Sequence, residues 1–207
     1  MKAKYIVFTF ALLLGISCFA QDTSLRQEFE NELKAKNENV TSIKALFTQT
    51  REMSVLTNVV KKDGDVYFTR PGCMLIGFKD GDYIKMNEAW FEMKTGNNLS
   101  STKISSNPML KNLNSILSAC VVGDFGAMNK VFTINPEKTP TEWILTMVPQ
   151  RGKAASKISR IVLHFDKKDM SLNILKMEEK SGDYTMYKFT NKQFNTKIDD
   201  KLFQIAK

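Results

Sequence analysis

The sequence predicts a mainly β fold with helices (α+β): a curved antiparallel sheet, preceded by one helix and interrupted by a second. Three observations carry that prediction. Short segments of alternating character recur along most of the chain, as in Ser42–Met53 and Ile158–Phe165. Tight polar turns separate them, among them Asp80-Gly81-Asp82, Gly96-Asn97-Asn98 and Ser181-Gly182-Asp183. Helical spacing is read in two main places, near the N-terminus and in the middle. Strands and turns spaced this way suit an antiparallel meander that curls into a barrel or a sandwich.

The first twenty residues read as an export signal. Lys2 and Lys4 form a basic start, Ile6 to Ile16 an apolar stretch short for a membrane span, and Cys18-Phe19-Ala20 a cleavage site before Gln21. A second reading stays open: Gly15-Ile16-Ser17-Cys18 loosely resembles a lipoprotein cleavage box, which would leave Cys18 as a lipidated N-terminus. Either way the mature chain is exported, and a bacterial periplasm is the expected compartment. Residues 21–207 suit one domain with a substantial core.

From Leu25 the apolar positions Leu25, Phe29 and Leu33 fall four apart, and Thr23 or Ser24 can cap the helix, which ends near Asn37. Ser42–Met53 then alternates, with Ile43, Ala45 and Phe47 on one face. Val59–Thr69 pairs with it through a loop near Thr57-Asn58. Met74–Phe78, Tyr83–Asn87 and Ala89–Met93 follow as short strands. Pro108 opens the central helix, where Leu110, Leu113, Ile116 and Leu117 keep helical spacing up to Cys120. A short helical turn covers Gly123–Met128. Strands resume at Val131–Asn135, Glu142–Val148, Ile158–Phe165, Ser171–Glu178 and Tyr184–Thr190, and Leu202-Phe203-Gln204-Ile205 closes the chain with an apolar run.

Charge decides little. Without Lys2 and Lys4, 28 of the 30 basic residues stand against 22 acidic ones, a mature charge of +6. Acids and bases are interspersed and no nucleic-acid motif accompanies them, so a solvated surface is the reading and no nucleic-acid partner is expected. Catalytic chemistry finds few candidates. His164 is the only histidine and lies between Leu163 and Phe165 on a strand, with no nucleophile elbow in the chain. Cys73 and Cys120, far apart and each in apolar context, read either as a disulfide or as two buried thiols. With one histidine they make no metal site. No phosphate loop or dinucleotide fingerprint occurs, so no cofactor and no enzymatic activity are expected.

Binding is the better-supported class. Counting by twos from Arg70, Met74, Ile76 and Phe78 share one strand face, and Ile84 and Met86 lie across from them while Tyr83 and Lys85 face away. Methionine fills irregular space and suits varied apolar shapes. Phe47, Phe68, Met74, Ile76, Phe78, Ile84, Met86, Leu110, Leu113 and Leu117 are therefore candidates to line a deformable apolar cavity, with ordinary core packing as the alternative. Arg70 ends a strand beside this apolar run. It reads either as a solvated charge or as a fork of donors for carbonyls at the mouth of a pocket.

Several motifs, in order, resemble the family of periplasmic outer-membrane lipoprotein carriers typified by LolA. Phe47-Thr48-Gln49 follows the first helix as the family's phenylalanine-x-glutamine strand does. Gly64-Asp65-Val66-Tyr67-Phe68-Thr69-Arg70-Pro71 is similar to its Gly-x-hydrophobic-x-hydrophobic-x-Arg-Pro segment, and Ala89-Trp90-Phe91 to its Leu-Trp-aromatic strand. The helix from Pro108 to Cys120, and the tail from Gly182 through Phe189-Thr190-Asn191 to Leu202-Phe203, also fit in order. The resemblance implies an incomplete β-barrel closed by the N-terminal helix and a central helical lid, a cavity for lipoprotein acyl chains, and Arg70 as the latch holding the lid. It implies as partners acylated lipoproteins or another lipid, an inner-membrane release complex and an outer-membrane receptor, with a monomeric carrier between them. Met74 and Ile76 stand where the family commonly has aromatic residues, which points to a divergent member. An anchored acceptor or a module for another lipid or envelope component is the alternative.

Overall fold

The first and last strands of the chain pair with each other, and that pairing makes one sheet out of two meanders. The computed structural model describes residues 17–54, 59–150 and 157–205, without the side chains of 17–23, 108, 109, 112 and 113. The elements run α1 (Ser17–Asn37), β1 (Ser42–Glu52), β2 (Val60–Thr69), β3 (Cys73–Phe78), β4 (Tyr83–Met86), β5 (Trp90–Thr95), β6 (Asn98–Lys103), α2 (Pro108–Val122), β7 (Phe132–Lys138), β8 (Glu142–Pro149), β9 (Ile158–Asp166), β10 (Leu172–Glu179) and β11 (Tyr184–Phe194). All strand pairs are antiparallel, in the order β6-β5-β4-β3-β2-β1-β11-β10-β9-β8-β7. The two edges, β6 and β7, do not meet. The result is the predicted incomplete curved barrel.

Strand alternation builds one continuous apolar face. Phe194, Ile43, Phe68, Met74, Met86 and Phe91 are successive cross-strand partners from β11 to β5. Pro136, Leu145, Leu163, Leu175 and Tyr187 do the same from β7 to β11. Side chains one residue off these rows face outward. His164 is one of them, beside the buried Leu163 and Phe165.

The two helices cover this face. Along α1, Phe29, Leu33 and Asn37 form one buried stripe at a spacing of four. Phe29 packs edge-on against Trp143 and Phe165, with ring centroids 5.5 and 5.1 Å away, and against Phe125 at 5.8 Å. Polar ties fix the same helix: the Trp143 indole donates to Glu32 Oε2 at 2.8 Å, and Lys138 Nζ donates to Glu32 Oε1 at 2.9 Å and to Glu28 Oε1. Gly123 follows α2 with φ +79°, and a Cβ there would stand 2.9 Å from the Lys34 backbone nitrogen. Only glycine lets the two helices approach this closely at a left-handed position.

The structure departs from the sequence prediction at several boundaries. α1 is already helical at Ser17, the first described residue, so Thr23 and Ser24 lie within the helix and do not cap it. Cleavage before Gln21 would trim its first turn. The expected signal segment lies outside the described residues through residue 16, as do the Cys18 side chain and the Thr57-Asn58 loop. β6 has no counterpart in the prediction because Asn98-Leu99-Ser100-Ser101-Thr102-Lys103 has Leu99 as its one apolar residue and shows no alternation, as an edge strand can. β7 runs on through Pro136, which an edge strand tolerates. The turn expected over Gly123–Met128 is a 3-10 helix at Gly126–Lys130.

The docking of α1 carries a pH dependence. Burial works against the Glu32 carboxylate, but hydrogen bonds from Lys138 and Trp143 and the Lys138 charge outweigh it and hold its pKa below the ordinary value. A lowered folded-state pKa contributes stability above the unfolded pKa, and that contribution is lost as pH falls through the folded value. Urea unfolding should therefore show the wild type losing more stability than Glu32→Gln between about pH 6 and about pH 3. Parallel profiles would show that this carboxylate does not hold the helix.

Candidate functional site

The two helices do not fill the concave face. A cavity of about 90 Å³ remains between β1, β2, β3, β11 and α2, next to the end of α1. Its wall is largely apolar: Ile43 and Ala45 from β1, Val66 and Phe68 from β2, Met74 from β3, and Phe189 and Phe194 from β11. Leu117, Cys120 and Val121 of α2 close it from above, one helical face at spacings of three and four. Leu172 joins them, and the polar members are Asn37, Ser171 and Lys192.

Of the residues predicted to line a cavity, Phe68, Met74 and Leu117 do so. Phe47 is buried in the neighbouring core, perpendicular to Phe78 at 5.3 Å and tilted on Tyr187 at 5.7 Å. Its ring lies over Gly64, where a Cβ would come within 2.1 Å of the Gly77 carbonyl oxygen and 2.7 Å of the ring. Ile76 and Phe78 pack partly buried against that core, and Met86 and Leu110 are buried. Ile84 is half-buried opposite Ile76. The Leu113 side chain lies outside the described residues. The lining from β11 has no counterpart in the sequence prediction. The alternation of Tyr187 and Phe189 is a usable signal, but strand order alone does not say that β11 lies beside β1.

Arg70 is placed by the turn after β2. Its Nε donates to the Val40 carbonyl at 2.6 Å and one terminal nitrogen to the Asn37 carbonyl at 2.7 Å, while its backbone N–H donates to Thr41 O at 2.9 Å. These carbonyls belong to the end of α1 and the link to β1. The resemblance implied a latch on the central helix; among the described residues the guanidinium's hydrogen bonds run to the end of α1 and the link after it. The planar fork thus reaches one carbonyl at the helix end and one in the link at once, and the Asn37 carbonyl also accepts from the Val40 N–H at 3.0 Å. Asn37, held in this way, lines the cavity.

Both cysteines outside the signal region are free, Cys120 buried in the cavity roof and Cys73 half-buried at the start of β3. Burial pushes the Cys120 thiol up to about 12, and burial together with the Glu88 charge also raises Cys73. His164 Nδ1 lies 3.1 Å from Glu142 Oε2 on the outer face, away from the cavity.

A family model described as outer membrane lipoprotein carrier protein LolA matches residues 98–206. No curated protein matches the sequence. Among solved structures, an uncharacterized conserved protein from Thermus thermophilus shares the fold at 12% identity and a TM-score of 0.51, over 87% of this chain and 94% of that one. A DUF1329 family protein from Desulfovibrio piger does so at 12% identity and 0.50, over 88% and 97%. MucB is similar at 11% identity and 0.50, over 88% of this chain and 63% of its own.

Thiol chemistry tests the cavity roof. The thiolate is the reactive form, so alkylation of native protein at about pH 8 should modify Cys73 at least about a hundredfold faster than Cys120. Peptide mapping reads both sites, and comparable rates would mean that α2 does not close over the cavity as described.

Proposed function

The chain belongs to the LolA family of outer membrane lipoprotein carriers, and from that premise we propose that it carries acylated proteins across the periplasm by sheltering their acyl chains under α2. The observation that carries this reading is the cavity itself: an apolar space between sheet and helix, roofed by Leu117, Cys120 and Val121. Each buried methylene contributes roughly 0.8 kcal/mol, so even part of an acyl chain would be held firmly. Its surroundings suit binding rather than turnover, because the one histidine sits on the opposite face of the sheet.

At about 90 Å³ the cavity is smaller than the roughly 300–1,000 Å³ of pockets that engulf small ligands. Loading therefore requires widening, and the contacts suggest where. α1 is tied by Glu28, Glu32 and the carbonyls on Arg70. α2 faces the cavity with apolar side chains, whose contacts are non-directional. An acyl chain replaces such contacts with others of the same kind, so α2 withdraws while α1 stays docked. Arg70 then keeps the cavity's fixed wall in place. In this reading the protein is exported by its N-terminal segment, receives cargo from an inner-membrane release complex and delivers it to an outer-membrane receptor. Lipidation at Cys18 would instead make it an anchored acceptor.

Arg70→Leu tests the role of the fixed wall. Transfer of a purified lipoprotein from inner-membrane to outer-membrane vesicles should fall by about tenfold or more, while the circular dichroism of the variant stays native. Arg70→Lys should fall similarly, since an ammonium lacks the fork that spans the two carbonyls. Undiminished transfer by both variants would remove Arg70 from the mechanism.

A further inference from the structure

β11 carries an irregularity that brings a cation to the apolar cavity. Its pairing with β1 slips between Lys44 and Leu46, where Lys44 faces Gln193 and Leu46 faces Thr190. The extra β11 residue is accommodated at Asn191, whose φ is +50°. Such a bulge resets the alternation of a strand. Phe189 and Phe194 both line the cavity although five residues apart, and Lys192 joins them on that side.

The Lys192 ammonium is held by neutral groups. It donates to Ser171 Oγ and to Asn173 Oδ1. Ser171 in turn donates through both its backbone N–H and its hydroxyl to Asp169 Oδ1. Burial lowers the Lys192 pKa, and the more distant charges of Asp169 and Asp166 offset this in part. Two of the three ammonium donors are thus engaged, which leaves one for a further partner. The offset from Asp169 and Asp166 is partial, so a cation beside Phe68, Phe189 and Phe194 gains further from an anion in direct contact. A lysine does not fill apolar space better than the leucine or methionine that a plain core would carry there.

We propose that the cavity takes an amphiphile with an anionic head, the head on Lys192 and the acyl tail along Phe68, Phe189 and Phe194. The inference rests on the acyl-binding reading above and adds carboxylate- or phosphate-headed chains to the acylated proteins as ligands of the same cavity. An uncharged acyl ester would occupy the same apolar wall without engaging the ammonium's charge. Ser171 and Asn173 act as positioning residues, since they hold the ammonium at the cavity wall when no ligand is present.

Displacement of an uncharged fluorescent probe from the full mature chain by dodecanoate and by 1-dodecanol separates head from tail. Wild-type protein should bind dodecanoate about tenfold or more tightly than 1-dodecanol, as a charge-assisted hydrogen bond implies. Lys192→Met should bring the two affinities together by weakening dodecanoate alone, and Lys192→Arg should restore the preference. Should Lys192→Met fail to fold, Lys192→Gln keeps a donor toward Ser171 and gives the same readout. Dodecyl phosphate in place of dodecanoate tells whether phosphate or carboxylate is the preferred head. Equal wild-type affinities, or a preference that survives loss of the lysine charge, would overturn the proposal and leave acyl binding standing. Failure of both probes to bind would overturn acyl binding as well.

Discussion

An eleven-stranded sheet with one apolar face has, among the described residues, two helices to cover it. That constraint organises the molecule. α1 covers the β7–β9 side, where Phe29, Trp143 and Phe165 interlock, and α2 lies over β1 to β3. What neither helix fills, between Phe68, Met74 and Phe194, remains as the cavity. Because the sheet stays open, a helix forms one wall of the cavity.

The two helices are held by different physics, and the difference matters for how such a cavity is used. α1 combines aromatic packing with Glu32 hydrogen bonds from Trp143 and Lys138, all requiring definite geometry. The carbonyl of its last residue, Asn37, and that of Val40 just beyond it accept from Arg70. The α2 side chains at the cavity are Leu117, Cys120 and Val121, which tolerate any apolar neighbour. A directional contact resists gradual change, whereas an apolar one yields to an equivalent surface. The end of α1 thus gives the cavity a rim at Asn37, and α2 gives it an apolar roof, which the proposed function takes to be the wall that cargo displaces.

Much of this is legible in the sequence, and the failures have physical reasons. Parity on β3 and β4 reads correctly because both strands are regular: Met74 lies opposite Met86 and Ile76 opposite Ile84. The four-residue spacing of Leu25, Phe29 and Leu33 marks the buried stripe of α1, but the expected helix start is misplaced because Thr23 and Ser24 have capping chemistry without capping position. β6 carries no apolar alternation and so leaves no signal. Arg70 is recognisable as a strand-end cation with donors to spare, yet its partners are backbone carbonyls of Asn37 and Val40, and any residue supplies a carbonyl. Lys192 escapes a sequence reading for a sharper reason. A single extra residue in β11 inverts the parity on which side-chain direction is read, and pairing with a strand far away in sequence reveals it.

The central claim is that the space under α2 is a site for acyl chains. Native mass spectrometry of the protein isolated gently from its own cell envelope tests it most directly. The account predicts a fraction carrying the added mass of an acyl-bearing molecule, released as a lipid or lipopeptide on denaturation. Protein that emerges without added mass, and stays so after incubation with acylated lipoprotein and with free acyl lipids, would contradict it.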